Sequence, residues 1–242
     1  MKYITYLLFG APGSGKGTQG RSLGSIPRFF HCACGDVFRT LDTRTKVGRA
    51  FLEYSSKGEL VPDEITVQLW QARIDAAVDA HEFKPDIDVL VLDGIPRNVG
   101  QARIMDQVID VKKVFHLSCP DRDTLFMRLK KRALKDNRLD DANEEVIRRR
   151  LDTYETESKP VLTYYGDVRI TCVDATQPPA MVLLKILESV NDGAYGVNGS
   201  TEPVEEQHEP AASLEVYSFQ PPLSQRQGGK AGARPLSIRV AG

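Results

Sequence analysis

The residues best suited to chemistry lie near the start of the chain, in the stretch GAPGSGKGTQ at residues 10–19. It matches the pattern G-x-x-x-x-G-K, with Gly10, Gly15 and Lys16 at the fixed positions. The glycines allow backbone N–H groups to turn inward onto a phosphate chain, and the lysine reaches the β- and γ-phosphates. A helix that begins near Lys16 would direct the positive end of its dipole at the same point. The stretch therefore predicts a phosphate-binding loop.

The elements that must position this loop alternate along residues 1–190. Continuous apolar runs predict five strands, at 3–10, 28–33, 86–95, 112–119 and 168–174. Helical stretches are predicted between and after them, at 16–25, 63–80, 121–134, 143–157 and 178–190. Strands separated by helix-length connections imply a parallel sheet covered on both faces. The sequence thus predicts an α/β chain with a P-loop NTPase-type three-layer fold and a five-stranded parallel sheet.

Residues 191–242 have a different composition. They are rich in glycine and proline and show no sustained hydrophobic period of 2 or 3.6 residues. Such a segment buries too little apolar surface to offset the entropy lost on ordering. We therefore expect one domain over residues 1–190, followed by a disordered C-terminal tail at 191–242 whose partner the sequence does not identify.

The bulk composition excludes several classes of protein. A net charge of −1 and a pI near 6.4 argue against a protein that holds nucleic acid by a general basic surface. Four cysteines do not suggest a disulfide framework and fit a reducing compartment. The apolar run at 3–9 is too short to span a membrane, and no targeting signal is visible. We expect a cytoplasmic protein, monomeric, that binds neither nucleic acid nor membranes.

One departure from the general motif is informative. The residue after Lys16 is Gly17 rather than Ser or Thr, and the hydroxyl arrives one place later, at Thr18. The form G-x-P-G-x-G-K-G-T-Q is typical of nucleoside monophosphate kinases. With CGDVFR (34–39), KGELVPDE (57–64), DGIPRN (93–98) and VDATQ (173–177), the chain resembles the adenylate kinase family from residue 3 to about residue 190. The resemblance implies reversible transfer of the γ-phosphoryl group of Mg-ATP to AMP, giving two ADP.

On the donor side, the resemblance implies that the phosphate loop binds ATP through Gly13, Ser14, Gly15, Lys16, Gly17 and Thr18. Asp93, at the end of the third strand, would organise Mg²⁺ and its waters near Thr18 without a set of direct protein ligands. Arg132 would contact the donor phosphates, and Gln177 would lie near the donor adenine.

On the acceptor side, the resemblance implies a mobile segment at about 34–63. Arg39 and Arg97 would bind the acceptor phosphate, and Gln101 would hydrogen-bond the acceptor base. The remaining acceptor residues that the resemblance implies are Cys34, Glu59, Leu60, Val61, Gly94, Arg138 and Arg150.

Between residues 126 and 165 most charges are expected to face solvent, but the resemblance selects three arginines around a short lid at about 132–141. Arg132, Arg138 and Arg150 would neutralise the transferring group, and together with Lys16 and Asp93 they form the implied catalytic set. Arg138 precedes Asp140 and Asp141, and Arg149 competes with Arg150 because Ala142 resembles a one-residue insertion. No cysteine occurs between 120 and 171, which excludes the structural zinc that some long-lid relatives carry.

Two other interpretations stay open. A UMP/CMP kinase is suggested by the asparagine of DGIPRN and by Cys34, which replaces the family's Ser or Thr. A non-catalytic nucleotide-binding scaffold is the alternative from another class. A metal site at His31, Cys32 and Cys34 has too few ligands at the wrong spacing for zinc.

Overall fold

The computed structural model describes residues 2–136, 141 and 143–191. Within them five strands form one parallel sheet, which confirms the predicted α/β fold. The strands are β1 (Tyr3–Phe9), β2 (Phe29–Ala33), β3 (Val89–Asp93), β4 (Ile109–Ser118) and β5 (Ile170–Asp174). Their order across the sheet is β2-β3-β1-β4-β5. β1 therefore lies in the centre, and the loop that follows it emerges at the carboxyl edge of the sheet.

The helices surround this sheet. They are α1 (Lys16–Gly24), α2 (Cys34–Arg39), α3 (Lys46–Lys57), α4 (Asp63–Asp79), α5 (Val99–Met105), α6 (Arg122–Asp136), α7 (Glu144–Thr153), α8 (Pro160–Tyr165) and α9 (Pro179–Asn191). A π-helical turn at Tyr154–Ser158 follows α7, and a 3-10 turn at Asp167–Arg169 precedes β5. The helix predicted at 143–157 therefore changes its hydrogen-bonding pattern after Thr153.

Four of these helices were not predicted from the sequence. α2, α5 and α8 have six or seven residues each, which is too short for a helical period to stand out. α3 is longer, but Gly48 is its only buried residue. These elements form because neighbouring parts of the fold hold them, as is usual for short helices.

The core has two layers because side chains alternate across each strand. Leu7 of β1 and Leu92 of β3 face one layer, where they pack with Trp70 and Ile74 of α4. Tyr6, Leu8, Val89 and Val91 face the other, together with Leu23 of α1 and with Val182 and Ile186 of α9. Strands buried on both faces account for the continuous apolar runs in the sequence.

None of the helices in the described part of the chain is both long and apolar enough to cross a membrane. Apart from Asn191, the last residue of α9, the predicted tail lies outside the described residues. Residues 137–140 of the predicted lid also lie outside them, whereas its first part is the end of α6. The domain boundary at 190 stays a prediction.

Candidate active site

The phosphate loop between β1 and α1 has a backbone that only glycine adopts readily. Gly15, directly before α1, has φ +100°, in the left-handed region. A Cβ atom on Gly10 would lie 2.5 Å from the backbone oxygen of Leu117, so a side chain there would collide with β4. No side chain caps the start of α1; the Thr18 N–H donates to the backbone oxygen of Gly15 (2.9 Å), and the N–H groups of Lys16 and Gly17 before it can bind an anion.

The side chain of Lys16 folds back onto the start of this loop. Its Nζ donates hydrogen bonds to the backbone oxygens of Gly10 (2.7 Å) and Ala11 (3.0 Å). Desolvation of the ammonium group lowers the pKa of Lys16 to about 8; Asp93 opposes this shift, and Arg97, Arg132 and Arg150 add to it. A positive charge at this position is therefore costly unless an anion binds beside it.

Asp93 ends β3 opposite the start of α1. A Cβ on Gly17 would lie 3.5 Å from Asp93 Oδ2, so the carboxylate faces the backbone at this position. It forms no hydrogen bond or salt bridge with another residue in the described part of the chain, and Thr18 lies at the same cleft. Mg²⁺ prefers oxygen ligands and keeps several of its waters, so these two residues fit an ion that arrives with a nucleotide. Nowhere in the described ranges do three His, Cys, Asp or Glu side chains form a group that could hold a metal by themselves.

A cleft of about 650 Å³ opens at the carboxyl edge of the sheet. Its walls include the following predicted site residues: Gly13, Gly15, Lys16, Gly17, Thr18, Arg39, Glu59, Leu60, Val61, Asp93, Gly94, Arg97, Gln101, Arg132 and Arg150. The structure thus brings most of the predicted donor and acceptor residues to one space, as expected for ligands that bind at the carboxyl ends of parallel strands.

Three predicted residues do not lie on the cleft walls. Cys34 is 1% exposed at the start of α2, and burial raises the pKa of its thiol to about 11. The Ser14 hydroxyl is buried without a hydrogen-bond partner among the described residues. Gln177 is exposed and donates to Asp174 (3.1 Å). Arg138 lies outside the described residues.

The acceptor side is built by side chains from α2 and α5 and by the segment between α3 and α4. Arg39 forms a salt bridge with Asp36 of its own helix. Arg97 is anchored by its Nε, which donates to the backbone oxygen of Gly94 (2.9 Å). Its backbone N–H donates to Gln101 Oε1 (2.7 Å). Arg39 and Arg97 both line the cleft.

One buried carboxylate links the arginines of α6 and α7. The side chain of Asp141 is 0% exposed; it accepts a hydrogen bond from Arg132 Nε (2.7 Å) and forms a salt bridge with Arg150. Arg149 instead binds the backbone oxygen of Lys57 (3.1 Å) and stands away from the cleft walls. The structure therefore favours Arg150 over Arg149 as the cleft-facing arginine of α7.

Sequence analysis missed a basic stripe on α6. Arg128, Lys131 and Lys135 lie on the cleft wall together with Arg132. These positions have the spacing i, i+3, i+4 and i+7, which places them on one helix face. That spacing is the available signal; the sequence predicts that most charges here face solvent, whereas the structure places these four on the cleft wall. Tyr154 and Ser158, at the two ends of the π-helical turn, also line the cleft, and no pattern in the sequence announces that turn.

Comparisons with known proteins agree with this geometry. A family model described as adenylate kinase matches residues 8–170. Adenylate kinase from Cyanothece sp. is 34% identical over 193 residues, covering 76% of this chain and 94% of that protein. Adenylate kinases from Flavobacterium psychrophilum and Porphyromonas gingivalis are 32% and 34% identical over 168 residues, with 67% of this chain and 84% and 82% of those proteins covered. On the family match and on these identities, the chain belongs to the adenylate kinase family.

Proposed function

We propose that this chain is an adenylate kinase that transfers the γ-phosphoryl group of Mg-ATP reversibly to AMP, giving two ADP. One observation carries the proposal: the phosphate loop shares its cleft with the predicted arginines Arg39, Arg97, Arg132 and Arg150. Transfer between two nucleotides needs phosphates in line and neutralised charge, with little covalent chemistry from the protein. The cleft offers this and belongs to a chain of the matching family.

On the donor side, we assign the ATP phosphates to Lys16 and to the backbone N–H groups of the loop, namely those of Gly13, Ser14, Gly15, Gly17 and Thr18. Lys16 would exchange its two carbonyl partners for phosphate oxygens, which repays its desolvation. Thr18 and Asp93 would hold Mg²⁺ and its waters. The ion supplies further neutralisation of phosphate charge. Gln177, although exposed and bound to Asp174, is assigned to the donor adenine.

On the acceptor side, we assign the phosphate of AMP to Arg39 and Arg97. Leu60 and Val61 offer apolar contact to the base, next to Glu59 and Gly94, and Gln101 offers an amide that can pair with it. Cys34 is buried and would not contact AMP; it would affect this site indirectly, by setting the position of α2.

Arg132 and Arg150 would neutralise the group in transit. The Asp141 carboxylate holds both guanidinium groups in place, so the protein itself fixes their orientation. Arg138 is assigned to the same task from the family resemblance alone.

The direct test is turnover of the purified full chain with ATP, Mg²⁺ and each of AMP, CMP, UMP and GMP. A preference for AMP, loss of activity with EDTA and recovery with Mg²⁺ would support the proposal. A pyrimidine preference would identify a UMP/CMP kinase instead. Binding of ATP without turnover of any acceptor would favour the scaffold.

A two-substrate analogue, two adenosines joined through five phosphates, tests whether two nucleotide sites face each other. It should bind far more tightly than ATP, because one molecule then gains both sets of contacts. Both sites are built from a single chain, so we also propose a monomer, to be checked by its mass in solution. Its four free cysteines suit the cytoplasm.

A further inference from the structure

The side-chain amide of Gln101 has its orientation fixed by two neighbours. Its Oε1 accepts a hydrogen bond from the backbone N–H of Arg97 (2.7 Å), and its Nε2 donates to Asp63 Oδ1 (2.9 Å). A backbone N–H can only donate and a carboxylate can only accept, so the oxygen and nitrogen of the amide cannot exchange places without loss. Gln101 is 1% exposed, and it lines the acceptor side of the cleft.

Asp63 is the centre of a small ring of side chains. It is the first residue of α4, and its Oδ1 also accepts from Asn98 Nδ2 (2.8 Å). The Asn98 Oδ1 in turn accepts from the backbone N–H of Gln101 (2.8 Å) and caps α5. The ring thus ties the acceptor-side helix α4 to the loop after β3.

Gly100 leaves the space that this ring needs. A Cβ at position 100 would lie 2.8 Å from Asp63 Oδ2 and 3.2 Å from Asn98 Oδ1. The first distance is shorter than ordinary van der Waals contact, so the carboxylate of Asp63 can keep this position only beside glycine.

We propose that Asp63 determines base specificity by locking the Gln101 amide in the orientation that matches adenine and cytosine. This rests on the proposed function, in which Gln101 faces the acceptor base. The amide keeps one N–H and one oxygen lone pair beyond those used in the ring. Together they pair with a base that carries an amino group beside a ring nitrogen acceptor, as adenine and cytosine do. Uracil and guanine present a carbonyl beside a ring N–H, which is the reverse pattern.

If its side-chain amide were unconstrained, a glutamine could rotate the amide by about 180° and pair with uracil or guanine at little cost. Here the turned amide would direct Oε1 at the Asp63 carboxylate and its NH₂ group at the Arg97 N–H. Both hydrogen bonds would be lost in a buried place, where unmade bonds cost most. Asn98 does not read the base in place of Gln101, because it is not among the residues that line the cleft.

Asp63→Ala tests the lock in the full-length chain. Alanine removes the oxygen that accepts from Gln101 Nε2, so the Gln101 amide can turn with the loss of its Arg97 hydrogen bond alone. We expect the ratio of kcat/KM for AMP to kcat/KM for UMP to fall about tenfold, with a parallel fall for CMP over GMP. The change should lie mainly in the KM of the acceptor, while the KM of ATP stays constant. Glu64→Gln removes the next carboxylate of the same helix turn, which is exposed, and should leave both ratios unchanged.

A role of Asp63 in stability alone would lower activity with all four acceptors by the same factor, and that result would overturn the proposal. Should Asp63→Ala fail to fold, Gly100→Ala displaces the carboxylate without removing it. It should move the ratios in the same direction; unchanged ratios there also overturn the lock. Wild-type protein that phosphorylates no monophosphate, or prefers UMP, rejects the proposed function. Wild-type preference for AMP with unaltered ratios in the variants rejects only the lock.

Discussion

The phosphate loop and the linked arginines of α6 and α7 gather positive charge in one cleft by different means. The loop does so mainly through its backbone, with glycine conformations and an uncapped helix N-terminus, and through one side chain, Lys16. All of these lie within residues 10–18. The arginines depend on side chains from two helices and on the buried carboxylate of Asp141 between them. The loop is therefore specified locally, whereas the arginine pair exists only once α6 and α7 have packed together.

The two regions also influence each other. Arg132 and Arg150 both lower the pKa of Lys16, because their positive charges repel its ammonium group. An anion bound in the cleft would offset this repulsion. Asp141 offsets part of this repulsion for the arginines, whereas in the described part of the chain Asp93 is the carboxylate that favours the charge of Lys16. We conclude that the loop lysine depends more strongly on bound phosphate than the arginines do.

Lys16→Met should have the largest effect and tests the loop half of this comparison. Loss of one fixed charge from the phosphate site should lower kcat/KM for ATP by about 10³-fold. Thermal stability should not fall, because the change removes a desolvated charge. Steady-state kinetics and a melting curve measure both quantities. Lys185→Met, on the exposed part of α9, is the matched control, and near-normal turnover of Lys16→Met would refute the assignment of the loop.

Asp141→Asn tests the arginine half and should have a smaller effect. Arg132 and Arg150 would keep their charges but lose their common anchor, which should lower kcat by about 10- to 100-fold with little change in the affinity for ATP. Kinetics under saturating nucleotide separate the two quantities. Glu144→Gln removes an exposed carboxylate that pairs with Lys130 and should have no effect on kcat. If Asp141→Asn weakens ATP binding and leaves kcat unchanged, the pair serves binding and not transfer.

The same difference between local and long-range structure decided what the sequence could predict. The sequence predicts the five strands, their parallel arrangement and the phosphate loop, because apolar runs and glycine spacing are local signals. In the sequence Asp141 stands out only as a neighbour of Arg138, since nothing local indicates that it lies buried between Arg132 and Arg150. The choice between Arg149 and Arg150 likewise needed the packing of α7. The ring around Asp63 joins residues 35 and 38 positions apart, and no spacing rule connects them.

The pH dependence of ATP affinity distinguishes the two regions again. Burial lowers the pKa of Lys16 to about 8, so its charge is lost as the pH rises through 8. Between pH 7 and pH 9 the Kd of ATP should rise by about tenfold, because the neutral amine must take up a proton to bind phosphate. Calorimetric titration of the wild type measures this rise, and Lys16→Met should lack it. Folding stability depends on pH in the opposite direction from ATP affinity. Between pH 8 and 10.5 the unfolded chain binds more protons at Lys16 than the folded chain does. The contribution of Lys16 to the free energy of unfolding therefore increases with pH over that range. A flat Kd in the wild type would show that Lys16 does not titrate there.

Cys34→Thr should have the smallest effect. It compares a buried residue of the acceptor side with the residues that line the cleft there. The Cys34 thiol is neutral and shielded from the cleft, so it can act on the acceptor only by shifting α2 and, with it, Arg39. A threonine adds a stronger hydrogen-bonding group of similar size, and we expect a change of about two- to fivefold in the KM of AMP with the KM of ATP unaltered. Cys172→Ser, at an exposed thiol on β5, controls for loss of a cysteine. The KM for UMP should change by the same factor as that for AMP, because base choice depends on Gln101 and Asp63 and not on position 34. A selective change for one base would return Cys34 to the specificity site, and no change for either would leave it a packing residue.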